Sequence, residues 1–167
     1  MPHNARTIAV LVANPALSSI LSMVLASVPT LRVRPFDSEL ALQIYMRLAP
    51  VDLVVTDFDS VHAPADQVAR DLRADDAIER HDFQVIALAS SVTPATKNLC
   101  IAAGIDEVIV KPMSPKYLLE RVQSRLASRA AQNAGYRPAR AAPKRPDFSQ
   151  YGNVIPLWTR ERPLPTH

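Results

Sequence analysis

The sequence is short of the residues that several common chemistries require. Its single cysteine, Cys100, excludes an internal disulfide framework and a cysteine-rich zinc site. It has only three glycines, and no G-x-G-x-x-G loop follows a strand, so an enzyme built on such a phosphate loop has little support. The four histidines, His3, His62, His81 and His167, show no metal-ligand spacing. No apolar run approaches the roughly 18 residues needed to cross a bilayer. The N-terminus carries no secretory pattern, because the apolar stretch Ile8–Ala13 is short and runs into Asn14-Pro15. A cytoplasmic protein that is not an enzyme is the expectation these absences leave.

Charge and proline are present but unevenly placed. Residues 1–120 hold 10 Lys/Arg against 14 Asp/Glu, a net of −4. Residues 121–167 hold 9 against 2, a net of +7, so the basic character belongs to the C-terminal end. Six of the 15 prolines lie between Pro138 and Pro165, which rules out long helices or central strands there.

Thr7–Ala13 reads as a buried first strand, and Asn14-Pro15 as a helix entry with asparagine capping and proline first in the helix. Leu17, Ile20, Leu21, Val24, Leu25 and Val28 recur at helical spacing up to Pro29. Leu31–Phe36 alternates apolar and basic residues around Pro35, as an edge strand can. Asp37 and Ser38 offer caps for a second helix with an expected buried stripe of Leu40, Ala41, Ile44, Tyr45 and Leu48. The run Leu53–Val55 suits a strand covered on both faces, and it leads into Asp57.

Pro64 opens a third helix with Ala65, Val68, Ala69 and Leu72 inward, and Arg73–Asp82 reads as a polar surface extension. Val85–Ala89 is a fourth strand. A helix from Pro94 follows, with Leu99, Ala102 and Ala103 expected inward and Gly104 as its stop. Cys100 falls at core spacing in it. Glu107–Val110 is a fifth strand ending at Lys111-Pro112, and Ser114 caps a last helix with Leu118, Leu119, Val122 and Leu126 on one face.

Five strands alternating with five helices predict an α/β fold with a parallel sheet and helices on both faces. The flavodoxin-like order 2-1-3-4-5 is the usual arrangement. That order brings Asn14, Asp57, Ala89 and Lys111 to the carboxyl edge of the sheet, where such folds bind ligands.

The passages "VDLVVTDFD" and "AAGIDEVIVKPMSPKYLLERV", in this order and separation, resemble a bacterial response-regulator receiver domain of the chemotaxis type. The likeness covers about residues 6–128, within a domain expected over residues 6–131. It implies that Asp57 is a phosphoacceptor, with a histidine kinase or phosphotransfer protein as donor and a downstream protein as partner. A carboxylate can serve as such a nucleophile. The likeness also implies that Lys111 pairs with the phosphoryl oxygens, that the Lys111-Pro112 bond is cis, and that the face of helix four, strand five and helix five can form a homodimer.

Several positions depart from that pattern. The two acidic metal ligands expected after strand one are Ala13 and Asn14. Asp57, the backbone carbonyl of Asp59 and the amide of Asn14 would make at most a weakened Mg²⁺ site, and Asn14 is equally explained as a helix cap. The hydroxyl residue expected after strand four is Ala89, with Ser90 adjacent and on the other face. The aromatic switch position is Val108. The expectation is a stand-alone atypical receiver of two-component signalling with weak phosphotransfer, acting by protein–protein contact; the alternative is a phosphorylation-independent adaptor or dimerising scaffold.

Residues 132–167 read as a Pro-rich basic tail, too short for a second folded domain. Its composition suits a flexible segment. Val154-Ile155-Pro156-Leu157-Trp158 is an apolar hook, anchored by Trp158, that could dock on the domain or on a partner. Nucleic acid is not expected, since no binding motif accompanies the modest positive charge. Arg121, Arg125 and Arg129, spaced by four, read as a solvated helix face or part of a partner surface.

Overall fold

The computed structural model describes residues 5–133 and the backbone of residues 154–156. Strands β1 (Arg6–Leu11), β2 (Leu31–Phe36), β3 (Leu53–Asp57), β4 (Gln84–Ala89) and β5 (Glu107–Val110) alternate with helices α1 (Pro15–Ala26), α2 (Glu39–Leu48), α3 (Ala65–Ala74), α4 (Pro94–Ala103) and α5 (Pro115–Asn133). The five strands are parallel in the order β2-β1-β3-β4-β5, as the alternation predicts. A sixth strand, β6 (Val154–Pro156), pairs antiparallel with β5. The five-strand expectation is thus extended by one short strand from the tail. Trp158, the expected anchor, lies outside the described residues, as does most of the tail. Helix α5 continues to Asn133, past the boundary expected at residue 131.

Two apolar layers hold the sheet. One packs α2, α3 and α4 on it through Leu42, Met46, Val68, Leu72, Cys100 and Ala103. The other packs α1 and α5 through Leu21, Leu25, Leu118, Val122 and Leu126. Every residue of β3 is buried, and each fully buried aliphatic side chain stabilises the fold by about 1.5–3 kcal/mol. Among the described residues no helix is long and apolar enough to cross a membrane.

Local signals set the helix starts. Asn14 Oδ1 accepts from the Ala16 and Leu17 amides, at 3.0 and 3.2 Å. Ser38, Thr93 and Ser114 cap α2, α4 and α5 in the same way. Gly104 closes α4 in the left-handed region, at φ 76°. A Cβ there would also lie 2.5 Å from Arg73 Nε.

Which face each helix buries was less legible. In α2 the buried pair is Leu42 and Met46, while the expected Leu40, Ile44 and Leu48 are 63%, 47% and 82% exposed. Both sets have spacing i, i+4, so periodicity alone does not choose between them. The Phe36–Tyr45 ring contact at 5.3 Å belongs to the phase that is adopted. In α4, Cys100 turns inward and Leu99 stays half-exposed; in α1, Ile20 is likewise exposed.

The stretch Arg73–Asp82 is more than a surface extension. Ile78 is buried within it, and Arg73 donates to the carbonyls of Gly104, His81 and Phe83. Burial pushes the Cys100 thiol up to about 11, with Asp66 adding to the effect, so it is a core residue rather than a reactive thiol.

The three arginines of α5 do not form a solvated face. Arg121 and Arg125 both grip the fully buried Glu107 carboxylate, each at 2.5 Å. Arg129 is buried too, donating to the Asp52 carbonyl at 3.0 Å and pairing with the Asp82 carboxylate. Spacing by four marks one face of a helix, but whether that face meets water or buried carboxylates depends on residues far away in the sequence.

Candidate functional site

The order of the sheet brings the ends of β3, β4 and β5 together, and with them the candidate residues. Asp57 ends β3 with its carboxylate buried. Lys111 follows β5, and its amide donates to the Ala89 carbonyl at 2.8 Å. The Lys111–Pro112 peptide bond is cis. Lys111 Nζ lies 3.1 and 3.0 Å from the two carboxylate oxygens of Asp57, so one ammonium bridges both oxygens of the candidate nucleophile. The Asp59 amide also donates to Asp57 Oδ1, at 2.9 Å.

Asp59 contributes its carboxylate, a role the sequence reading assigned only to its backbone. Asp59 Oδ2 is 3.0 Å from Lys111 Nζ. The same oxygen accepts from the Ser90 amide at 2.7 Å and the Ser90 hydroxyl at 2.6 Å. The result is a chain Asp57–Lys111–Asp59–Ser90 that ties the loop after β3 to the loop after β4. Its signal is local: an aspartate side chain can accept the amide two residues on and turn the chain back, as Asp57 does with Asp59 just past β3. The Ser90 hydroxyl serves Asp59 rather than standing in for the one missing at position 89, and no local pattern links the two residues.

Electrostatics follow the geometry. Burial works against the Asp59 charge, but the Ser90 and Lys111 hydrogen bonds outweigh it and hold its carboxyl below the ordinary carboxylate value. Burial likewise works against the Lys111 charge, and the two carboxylates outweigh it, raising its pKa. The site holds two carboxylates against one ammonium, an excess of one negative charge.

The degenerate positions stay where the topology predicts. Ala89 is fully buried at the end of β4 and Val108 is fully buried within β5. Ala13 carries no donor, and the Asn14 amide oxygen is committed to capping α1. Among the described residues no group of three or more His, Cys, Asp and Glu is placed to hold a metal ion. The donors that remain, Asp57 and Asp59, both bind Lys111. Of the donors expected for a weakened Mg²⁺ site, the Asp57 carboxylate is held by Lys111 and the Asn14 oxygen already accepts two amide hydrogens.

No protein-family model matches the sequence, and no curated protein matches it. Solved structures do match the fold. A CheY-like response regulator receiver domain protein from Methanospirillum hungatei superposes with TM-score 0.67 at 15% identity, covering 77% of this chain and 98% of its own. A response regulator from Thermotoga maritima gives 0.63 at 23%, covering 74% and 98%. The BeF3-activated DrrB receiver domain gives 0.62 at 22%, covering 74% and 98%. The described domain has the fold of receiver domains over their whole length.

Proposed function

We propose that this chain is an atypical receiver module of two-component signalling that works in the cytoplasm through contact with other proteins. Asp57 is the phosphoacceptor and Lys111 its charge partner. The observation that carries the reading is the Lys111 ammonium bridging both Asp57 oxygens at the carboxyl edge of a receiver fold. In the step itself an Asp57 carboxylate oxygen attacks the phosphorus of a phosphohistidine on a kinase or phosphotransfer protein. The O–P bond forms as the P–N bond breaks, and the electron pair leaves on the imidazole nitrogen. Lys111 stays protonated and offsets charge on the phosphoryl oxygens.

The same geometry makes the step slow. The incoming phosphoryl group meets two carboxylates and one ammonium, with Ala89 supplying no hydroxyl. Incubation with a small acyl phosphate should label Asp57 slowly and substoichiometrically, with no label on an Asp57→Asn variant. Rapid stoichiometric labelling at millimolar Mg²⁺ would refute the slow-transfer reading. A second reading is favoured by the Ser90–Asp59–Lys111 tie, which joins the two loops through the chain's own side chains. In it the chain is a phosphorylation-independent adaptor. Beryllofluoride separates the two: saturable binding that orders the loop after β4 supports the phosphoacceptor, and no binding at millimolar Mg²⁺ supports the adaptor.

A further inference from the structure

The sheet has two flanks, and they are defended differently. Edge strands expose unpaired backbone groups that invite another strand, and charged residues or proline on the edge discourage this. Strand β2 carries such devices: Arg32 and Arg34, both exposed, and Pro35. Strand β5 reads Glu-Val-Ile-Val, with no lysine, arginine or proline. Its one charge, Glu107, is fully buried and turned onto Arg121 and Arg125. Val108 and Ile109 are fully buried as well. Left bare, β5 would be an undefended template.

That template is covered by the chain itself. Val154 pairs with Ile109, Ile155 with Val108 and Pro156 with Glu107, antiparallel. The new outer strand is three residues long and ends in proline, and both features make it a poor template in turn.

We infer that Val154–Pro156 is an intramolecular edge strand that closes β5 and keeps the α4–β5–α5 face from pairing with a second copy of the chain. The homodimer expected through that face therefore requires this strand to leave first. The inference stands whether or not Asp57 accepts a phosphoryl group.

The test uses the full chain and two variants, Val154→Pro and Ile155→Pro. Adjacent amides along a strand point to opposite sides, so one of the two prolines removes a hydrogen bond to β5 and the other does not. Both prolines are compatible with extended backbone before them. The unaltered chain should sediment as a monomer with slow hydrogen exchange in β5. The ladder-breaking proline should speed exchange of the β5 amides that face β6 at least tenfold and produce a concentration-dependent dimer. The other proline should behave like the unaltered chain. Equal exchange in all three proteins would overturn the inference, as would a dimer already formed by the unaltered chain. Faster exchange with no dimer would overturn the claim that the strand holds copies apart.

Discussion

Asp52 and Asp57 stand at the two ends of β3, each 5% exposed. Asp52, at the amino end, accepts the Thr7 amide at 2.8 Å and has Arg6, Arg80 and Arg129 within 3.2, 3.5 and 3.8 Å. Asp57, at the carboxyl end, has one lysine, which Asp59 shares. Burial is the same, so burial does not mark the candidate site. The distinction lies in the balance of charge. At the amino end three guanidinium groups converge on one carboxylate, with Asp82 bound to two of them. At the carboxyl end carboxylates outnumber cations. The first arrangement ties β1, β3, the loop before β4 and α5 together; the second ties the loop after β3 to Lys111 with one negative charge in excess.

The largest expected effect tests this contrast directly. Asp52→Ala takes the carboxylate from the buried Thr7 amide and from Arg6, while Arg80 and Arg129 keep Asp82, and should cost about 1.5–3 kcal/mol, as losing hydrogen bonds to a buried charged group does. Asp57→Ala leaves Lys111 paired with Asp59 and should cost no more than about 1 kcal/mol. Urea unfolding midpoints of the two variants measure the difference, and equal losses would erase the distinction between the two ends.

A smaller effect sharpens the metal argument. Ala13→Asp adds a hard oxygen donor two residues past the end of β1, the strand paired with β3, and Mg²⁺ affinity measured by calorimetry should rise about tenfold, or about 1.4 kcal/mol. No gain would place the obstacle in the Lys111 bridge rather than in the lost carboxylate.

The smallest effect concerns pH. The Asp59 carboxyl is held low, so the stability it adds is present above its unfolded pKa and is lost as pH falls through the folded value, below the ordinary carboxylate range. Lys111 has a raised pKa, so its contribution is full below its unfolded value and is lost as pH climbs through the folded value, above the ordinary lysine range. The stability gap between the unaltered chain and Asp59→Asn should therefore be flat from pH 5 to 8 and close in stronger acid. Asp59 is partly solvated, so the gap should stay under about 1 kcal/mol.

The sequence alone determined the element order, the sheet, and the meeting of Asp57 with Lys111. Those follow from local causes: apolar alternation, capping residues, prolines at helix starts, and strand ends that the βαβ rules bring to one edge. Tertiary structure decided the rest. It chose Leu42 and Met46 over Leu40, Ile44 and Leu48, turned Arg121 and Arg125 onto the buried Glu107 carboxylate, buried Arg129 against Asp82, joined Ser90 to Asp59, and laid Val154–Pro156 along β5. Each of these is a pairing between groups far apart in the chain, and its free energy depends on which charges and amides lose water together. A single strand or helix carries no record of that until its neighbours are in place.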